Sequence, residues 1–347
     1  MSISGNNRLS NFELLRIICI FSILCSHILY HGCDRLLLDN CANNFSMGIQ
    51  SFLGFHVNAF LLISGYFGIK LKANSFFRFF ITCAFYSVAI WIVFSLFSET
   101  SLSFMAFLKR FHFFYRNSPW WFVEIYFYLF VTAPILNMAF SANRKNVILF
   151  LCLLTFLNIV CGGILHSDYN LNGFNYNHFV YMYFIGGSIR YFDFNVNRKK
   201  CIYSILIVSI LIFLERHYLG SFRGYINPLV VLQSVLVFLF FKGINIKSSF
   251  LNNISASTFA VYLMHDEDVY ARKALVDLVE QIYALFSATH YPGYMFIILM
   301  VFFSFVAFIG LICVDRLLRF IFINHLINQT NHLYKTISKK IYYELNH

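Results

Sequence analysis

Four polar side chains, Glu13, Arg16, His27 and His31, interrupt the otherwise apolar stretch "NFELLRIICIFSILCSHILYHG" from Asn11 to Gly32. A stretch of this length and composition reads as a membrane helix. A charge near the bilayer centre costs at least ~2.5–3.5 kcal/mol on insertion scales, so a polar set held there marks a candidate site. Arg16 and His27 are eleven positions apart, about 20° off three full turns, so both project from one face, roughly 16 Å apart along the axis. Arg16 then sits near the cytoplasmic boundary and His27 at or beyond the midplane. Glu13 lies one turn before Arg16, within reach of an ion pair, and His31 one turn after His27. A neutral imidazole in a dry bundle suits general-base work on a hydroxyl, and an arginine suits phosphates. Together they suggest a phosphate-bearing donor from the cytoplasm meeting an acceptor deep in the membrane. The competing structural reading has Arg16 snorkelling to headgroups, Glu13 neutralising it and His27 hydrogen-bonding a neighbouring helix. His27 and His31 have the spacing of two metal ligands, but no third is evident from the sequence, and no metal is expected.

The elements that must position these residues follow from composition. The chain has 347 residues, 59% of them hydrophobic and only 12% charged, with apolar runs recurring from end to end and no linker or repeat. This predicts an all-α polytopic transmembrane bundle forming a single domain over 1–347. Spans are expected near 12–31, 46–68, 76–97, 120–140, 146–165, 176–192, 201–219, 226–243, 254–270 and 294–323, about ten in all. The sixth is short and interrupted by Gly186 and Gly187, and the ninth carries Asp266, Glu267 and Asp268 in its second half. Lys and Arg concentrate in alternate connections, which places both termini in the cytoplasm. The exceptions, on the outer side, are Arg35, Lys109, Arg110, Arg116, Arg216, Arg223, Arg272 and Lys273. The net charge of +11 is spread between apolar runs, as topology signals are, and excludes a nucleic-acid binder. No cleaved signal peptide is expected from the first ten residues. Of the nine Cys, Cys33 and Cys41 fall together in the first polar connection, either as a disulfide or as two free thiols.

Four motifs in order give the chain a resemblance. Glu13, Arg16 and His27 match an acidic residue three before an Arg, then ten residues, then His. "FLLISGYF" (Phe60 to Phe67) matches an apolar stretch ending Ser-Gly-aromatic, with Leu61 where a second Phe is usual. "WWFVEIYFYLFVTAPIL" (Trp120 to Leu136) matches an aromatic pair opening a Tyr-containing helix that ends near Pro-x-Leu. "TFAVYLMH" (Thr258 to His265) matches Thr-Phe-x-x-Tyr-Leu-x-His. In these the chain resembles the acyltransferase-3 membrane proteins, many of which O-acetylate bacterial surface polysaccharides. The resemblance implies acyl-CoA, commonly acetyl-CoA, as donor substrate, with no tightly bound cofactor. It implies Arg16 and His27, with Glu13, as the functional set, and a hydroxyl of a cell-surface glycan or lipid-linked sugar as acceptor. It further implies a multi-pass protein of the bacterial plasma (inner) membrane, without an appended extracytoplasmic domain.

Other residues carry two readings each. Lys70, Lys72 and Arg78 are positive-inside anchors or, given the resemblance, partners of the coenzyme A phosphates. Ser64 and Gly65 allow close helix approach, and no Gly-x-Ser-x-Gly elbow accompanies Ser64. Trp120, Trp121 and Tyr126 form an interfacial aromatic belt or a sugar-stacking surface, Glu124 is an acid among aromatics, and His265 is a candidate on the acceptor path. Lys109, Arg110 and Arg116 cluster against the charge rule and are candidates for holding an anionic acceptor. The runner-up function is a polysaccharide or lipid-linked sugar transporter or polymerase, but the inverted repeats or paired broken helices expected of a transporter are not seen.

Overall fold

The computed structural model describes residues 9–97, 103–111, 118–165, 167, 169, 171–220, 224–267, 270–332, 334 and 336. Every regular element among them is helical. In chain order they are α1 (Ser10–His27), α2 (Asn40–Leu53), α3 (His56–Phe67), α4 (Ala73–Phe97), α5 (Phe104–Lys109), α6 (Trp121–Met138) and α7 (Arg144–Thr155). They continue as α8 (Tyr176–Tyr191), α9 (Arg198–Leu219), α10 (Pro228–Lys242), α11 (Ser249–Ser255), α12 (Thr258–His265), α13 (Ala271–Ser287) and α14 (Gly293–Leu318). Side-chain caps set several starts: Asp39 accepts from the Ala42 amide at 2.7 Å, and Asn143, Asn175, Asn197 and Ser248 play the same part for α7, α8, α9 and α11. Asn227 caps α10 with Pro228 in its first turn, where the missing amide costs nothing.

Among the described residues each of the ten apolar runs falls largely on helix. Among the described residues seven helical stretches are long and apolar enough to cross a membrane: Ser10–Arg35, Asn40–Phe67, Ala73–Phe97, Trp121–Ser141, Arg144–Ile164, Arg198–Leu219 and Gly293–His332. The chain is an all-α polytopic bundle. The sixth and eighth runs become the shorter α8 and α10. The ninth is broken. Helix α11 gives way at Ala256 and Ser257 to α12, which is eight residues long and ends at His265. Beyond it α13 is an additional, amphipathic helix. Glu267 starts it by accepting from the Tyr270 and Ala271 amides at 2.7 and 3.2 Å, so the acidic run in this span is a helix boundary.

The first helix is the centre of the bundle, packed against α3, α10, α11, α12 and α14. It does not stop at His27 but widens into a π turn over Ile28–Gly32 and a 3₁₀ turn over Cys33–Arg35. Such π turns are frequent at functional positions because they rotate the residues beyond them. Gly186 in α8 is a contact rather than an interruption. A Cβ on it would lie 2.3 Å from the Leu62 carbonyl oxygen, and one on Gly65 would lie 1.9 Å from the Tyr183 carbonyl oxygen, so α3 and α8 touch backbone to backbone. Cys33 is buried, Cys41 exposed, and the two are not bonded.

The two described ends share one face. Phe12 packs on Phe67 at the end of α3, and Tyr334 packs on Phe77 in the first turns of α4, the helix that follows. Lys70, Lys72 and Arg78 are exposed at this same end, which the Lys and Arg asymmetry assigns to the cytoplasm.

Candidate active site

At the basic face Glu13 sits between two elements. Its Oε1 accepts from Arg16 Nη1 at 2.5 Å, and its Oε2 accepts from Ser255 Oγ at the end of α11. The carboxylate is nearly buried, whereas the Arg16 side chain is 30% exposed. The pairing expected from one-turn spacing therefore aims the guanidinium and leaves part of it open.

His27 lies three turns further along α1, in the bundle interior. The break after α12 brings two side chains to it: His27 Nδ1 is 3.2 Å from His265 Nε2 and 3.2 Å from Asp266 Oδ1. The protons can be assigned from the partners. His265 Nδ1 lies 2.7 Å from the Val261 carbonyl oxygen, which only accepts, so Nδ1 is the donor and Nε2 of the neutral ring is an acceptor. His27 Nδ1 thus faces two acceptors and carries the hydrogen, leaving its Nε2 with the lone pair of a base. Asp266 is fully buried and is itself held by Arg272, through Nη2 at 2.8 Å and Nε at 3.2 Å. This histidine, carboxylate and arginine chain orients the ring and offsets the positive charge it would acquire on taking a proton. His27, His31 and Asp266 each offer a ligand atom within 4.8 Å of the others, so the third metal ligand that is not evident in the sequence is present in space. Arg272 already supplies a cation on Asp266.

Two cavities meet at His27. On the side toward Arg16 is a small apolar chamber of about 20 Å³, lined by Ile20, Ile23, Val57, Phe60, Phe259 and Tyr262. That is room for about one water-sized group. On the other side is a cavity of about 400 Å³ with polar walls that include His31, Gln50, His56, Arg216 and Arg272. Trp121 and Tyr225 line both, stacked with ring centres 6.0 Å apart, and Phe174 packs on Trp121. Trp120 fixes the arrangement from behind by donating to the Leu263 carbonyl at 3.1 Å.

The other sequence candidates are placed as follows. His265 and Trp121 stand at His27. Glu124 accepts from Tyr128 at 3.2 Å and Ser64 pairs with Tyr126 at 3.2 Å. Arg110 faces Glu267 at 3.9 Å and lies over the Tyr270 ring, Lys109 is exposed, and Arg116 lies outside the described residues. A wide cavity of about 810 Å³ opens on the basic face among Ser10, Asn11, Tyr66, Lys242, Lys247 and Ser248. There Lys242 bonds Asp193, and that bond together with one from Asn195 holds the Asp193 carboxyl below the usual range. Sequence reasoning did not join Asp266 and Arg272 to His27, nor Lys242 and Lys247 to the cavity on the basic face. The one available signal was an acid directly after His265 inside an apolar run.

Comparison with curated proteins and with solved structures returns no match. Residues 9–316, nearly the whole described bundle, do match the family model described as an acyltransferase domain. The motifs lie inside that match, and the chain belongs to the acyltransferase-3 family of membrane acyltransferases.

Proposed function

We propose that this protein moves a short acyl group, most simply acetyl, from coenzyme A at the cytoplasmic face of a bacterial plasma membrane to a sugar hydroxyl presented from the opposite face. The observation that carries this reading is the position of His27 at the junction of two unlike cavities, a dry chamber toward Arg16 and a polar one away from it. Arg16, aimed by Glu13, orients the polar part of the donor as it enters. The acyl group reaches the small chamber and the acceptor hydroxyl the large one. His27 Nε2 takes the hydroxyl proton as the oxygen attacks the thioester carbonyl, and the tetrahedral intermediate collapses by breaking the carbon–sulfur bond. The departing thiolate takes the proton back from the imidazolium, so acyl group and proton are both accounted for. Asp266 and Arg272 keep His27 in the tautomer this requires. Lys70, Lys72 and Arg78, with Lys242 and Lys247, offer charge for the donor's phosphates on the same face.

The test is mass spectrometry of the surface glycan from cells with the gene, without it, and with His27→Ala in its place. An acetyl mass increment is expected only with the intact protein, since losing a general base lowers turnover by ~10²–10⁴. Identical glycan masses in all three strains would remove the reading.

A further inference from the structure

Two of the eight Lys and Arg on the outer side, Arg216 and Arg272, come from distant helices to line one cavity. Arg216 lies in the last turn of α9, a helix most of whose apolar residues are exposed, and turns inward so that its Nη2 meets Gln50 Oε1 at 3.2 Å. Gln50 in turn donates through Nε2 to Ser46 Oγ at 3.1 Å and to Asp34 Oδ1 at 3.5 Å, so its oxygen is held toward Arg216. Among the described residues no carboxylate lines this cavity: Asp34 lies beyond Gln50, which reaches it at 3.5 Å, Asp266 lies behind Arg272, and the wall residues are His, Gln, Asn, Arg, Gly, Ser and aromatics. The aromatic wall of Trp121, Tyr225 and Phe174 offers flat apolar surface beside the two cations. A pocket of about 400 Å³ is within the size range that encloses a small ligand.

Resting on the acyl-transfer reading, we infer that the acceptor is an acidic carbohydrate, whose sugar faces lie on the Trp121 and Tyr225 side and whose anionic group is gripped by Arg216. Guanidinium pairs with carboxylate or phosphate through parallel hydrogen bonds, and either group fits the chemistry of this wall. The grip holds the substrate so that a neighbouring hydroxyl faces His27. Arg216 is a specificity-determining residue in this arrangement and does not touch the reacting atoms.

The experiment is equilibrium binding to the purified full-length protein in detergent, with no acyl donor present, using D-glucuronate, D-glucose 6-phosphate and D-glucose as probes in isothermal titration calorimetry. At least one acidic sugar is expected to bind about tenfold or more tightly than glucose, and raised salt should erode that difference. The stronger of the two acidic sugars tells carboxylate from phosphate. Arg216→Gln should lower acidic-sugar affinity about tenfold, to near the glucose level, at an unchanged melting temperature. If the Gln variant does not fold, Arg216→Lys carries the comparison, keeping the charge but losing the fork and part of the affinity. Glucose binding as tightly as both acids, acidic sugars held equally well by the Arg216 variant, or no binding by any of the three overturns the inference. Because no acyl transfer is measured, such a failure is distinct from a failure of the glycan mass measurement.

Discussion

Replacing Asp266 with Asn keeps the shape of the side chain facing His27 but removes the charge that accepts from the ring. An amide in that place can present its NH₂ to His27 Nδ1, which favours the tautomer with the hydrogen on Nε2, where the base is needed. We expect kcat to fall by ~10² or more, toward the ~10⁴ lost when a triad carboxylate is neutralised, with KM for acyl-CoA unchanged. A merely structural Asp266 would lower the amount of folded protein and leave its kcat intact, so purified folded protein decides. Arg16→Lys makes the opposite split, because it keeps the charge 30% exposed at the basic face but loses the planar fork. It should raise KM for acyl-CoA with little change in kcat, and an unchanged KM would detach Arg16 from the donor. The common helix and spacing of Glu13, Arg16 and His27 were legible because one apolar run carries all three. Asp266 and Arg272 were not, since only the end of α12, more than two hundred residues later, carries them to His27.

On the proposed mechanism, helix α3 sets how large an acyl group can sit beside His27. Phe60 projects into the chamber of about 20 Å³ and packs on Phe122 and Tyr126, so its ring is a wall. Phe60→Ala opens space for several methylenes, and acyl-CoA donors longer than acetyl, propionyl and butyryl among them, should gain in kcat/KM relative to acetyl-CoA. Comparing the three donors on both proteins tests this, and an unaltered preference would place the acyl group elsewhere. The long helices could be read from apolar length alone, and the packing of α3 on α8 through Gly65 and Gly186 is consistent with small residues in a membrane interior. The break between α11 and α12 could not be read, because a hydropathy run registers how apolar a segment is and not where its backbone turns. For the same reason α13, amphipathic and too polar for a span, was absent from the expected set of helices.

On the proposed reading, the bundle as a whole separates a donor that carries several phosphate charges from an acceptor on the other face. Moving such charges through hydrocarbon is costly, and a chamber of about 20 Å³ has no room for the nucleotide. On that reading only the acyl group needs to pass His27, so the two faces must have fixed and opposite orientations. The Lys and Arg distribution places Lys72 in the cytoplasm, and the course of α1 places Cys41, which is exposed at the start of α2, on the far side. In a chain whose other cysteines are replaced, a membrane-impermeant maleimide added to intact cells should label Cys41. Lys72→Cys, with Cys41 also replaced, should be labelled only after the membrane is opened. The converse pattern would invert the bundle and put the polar cavity on the side of the coenzyme. Labelling of both positions in intact cells would mean that they share a face, which a single crossing by α1 and its return by α2 and α3 does not allow.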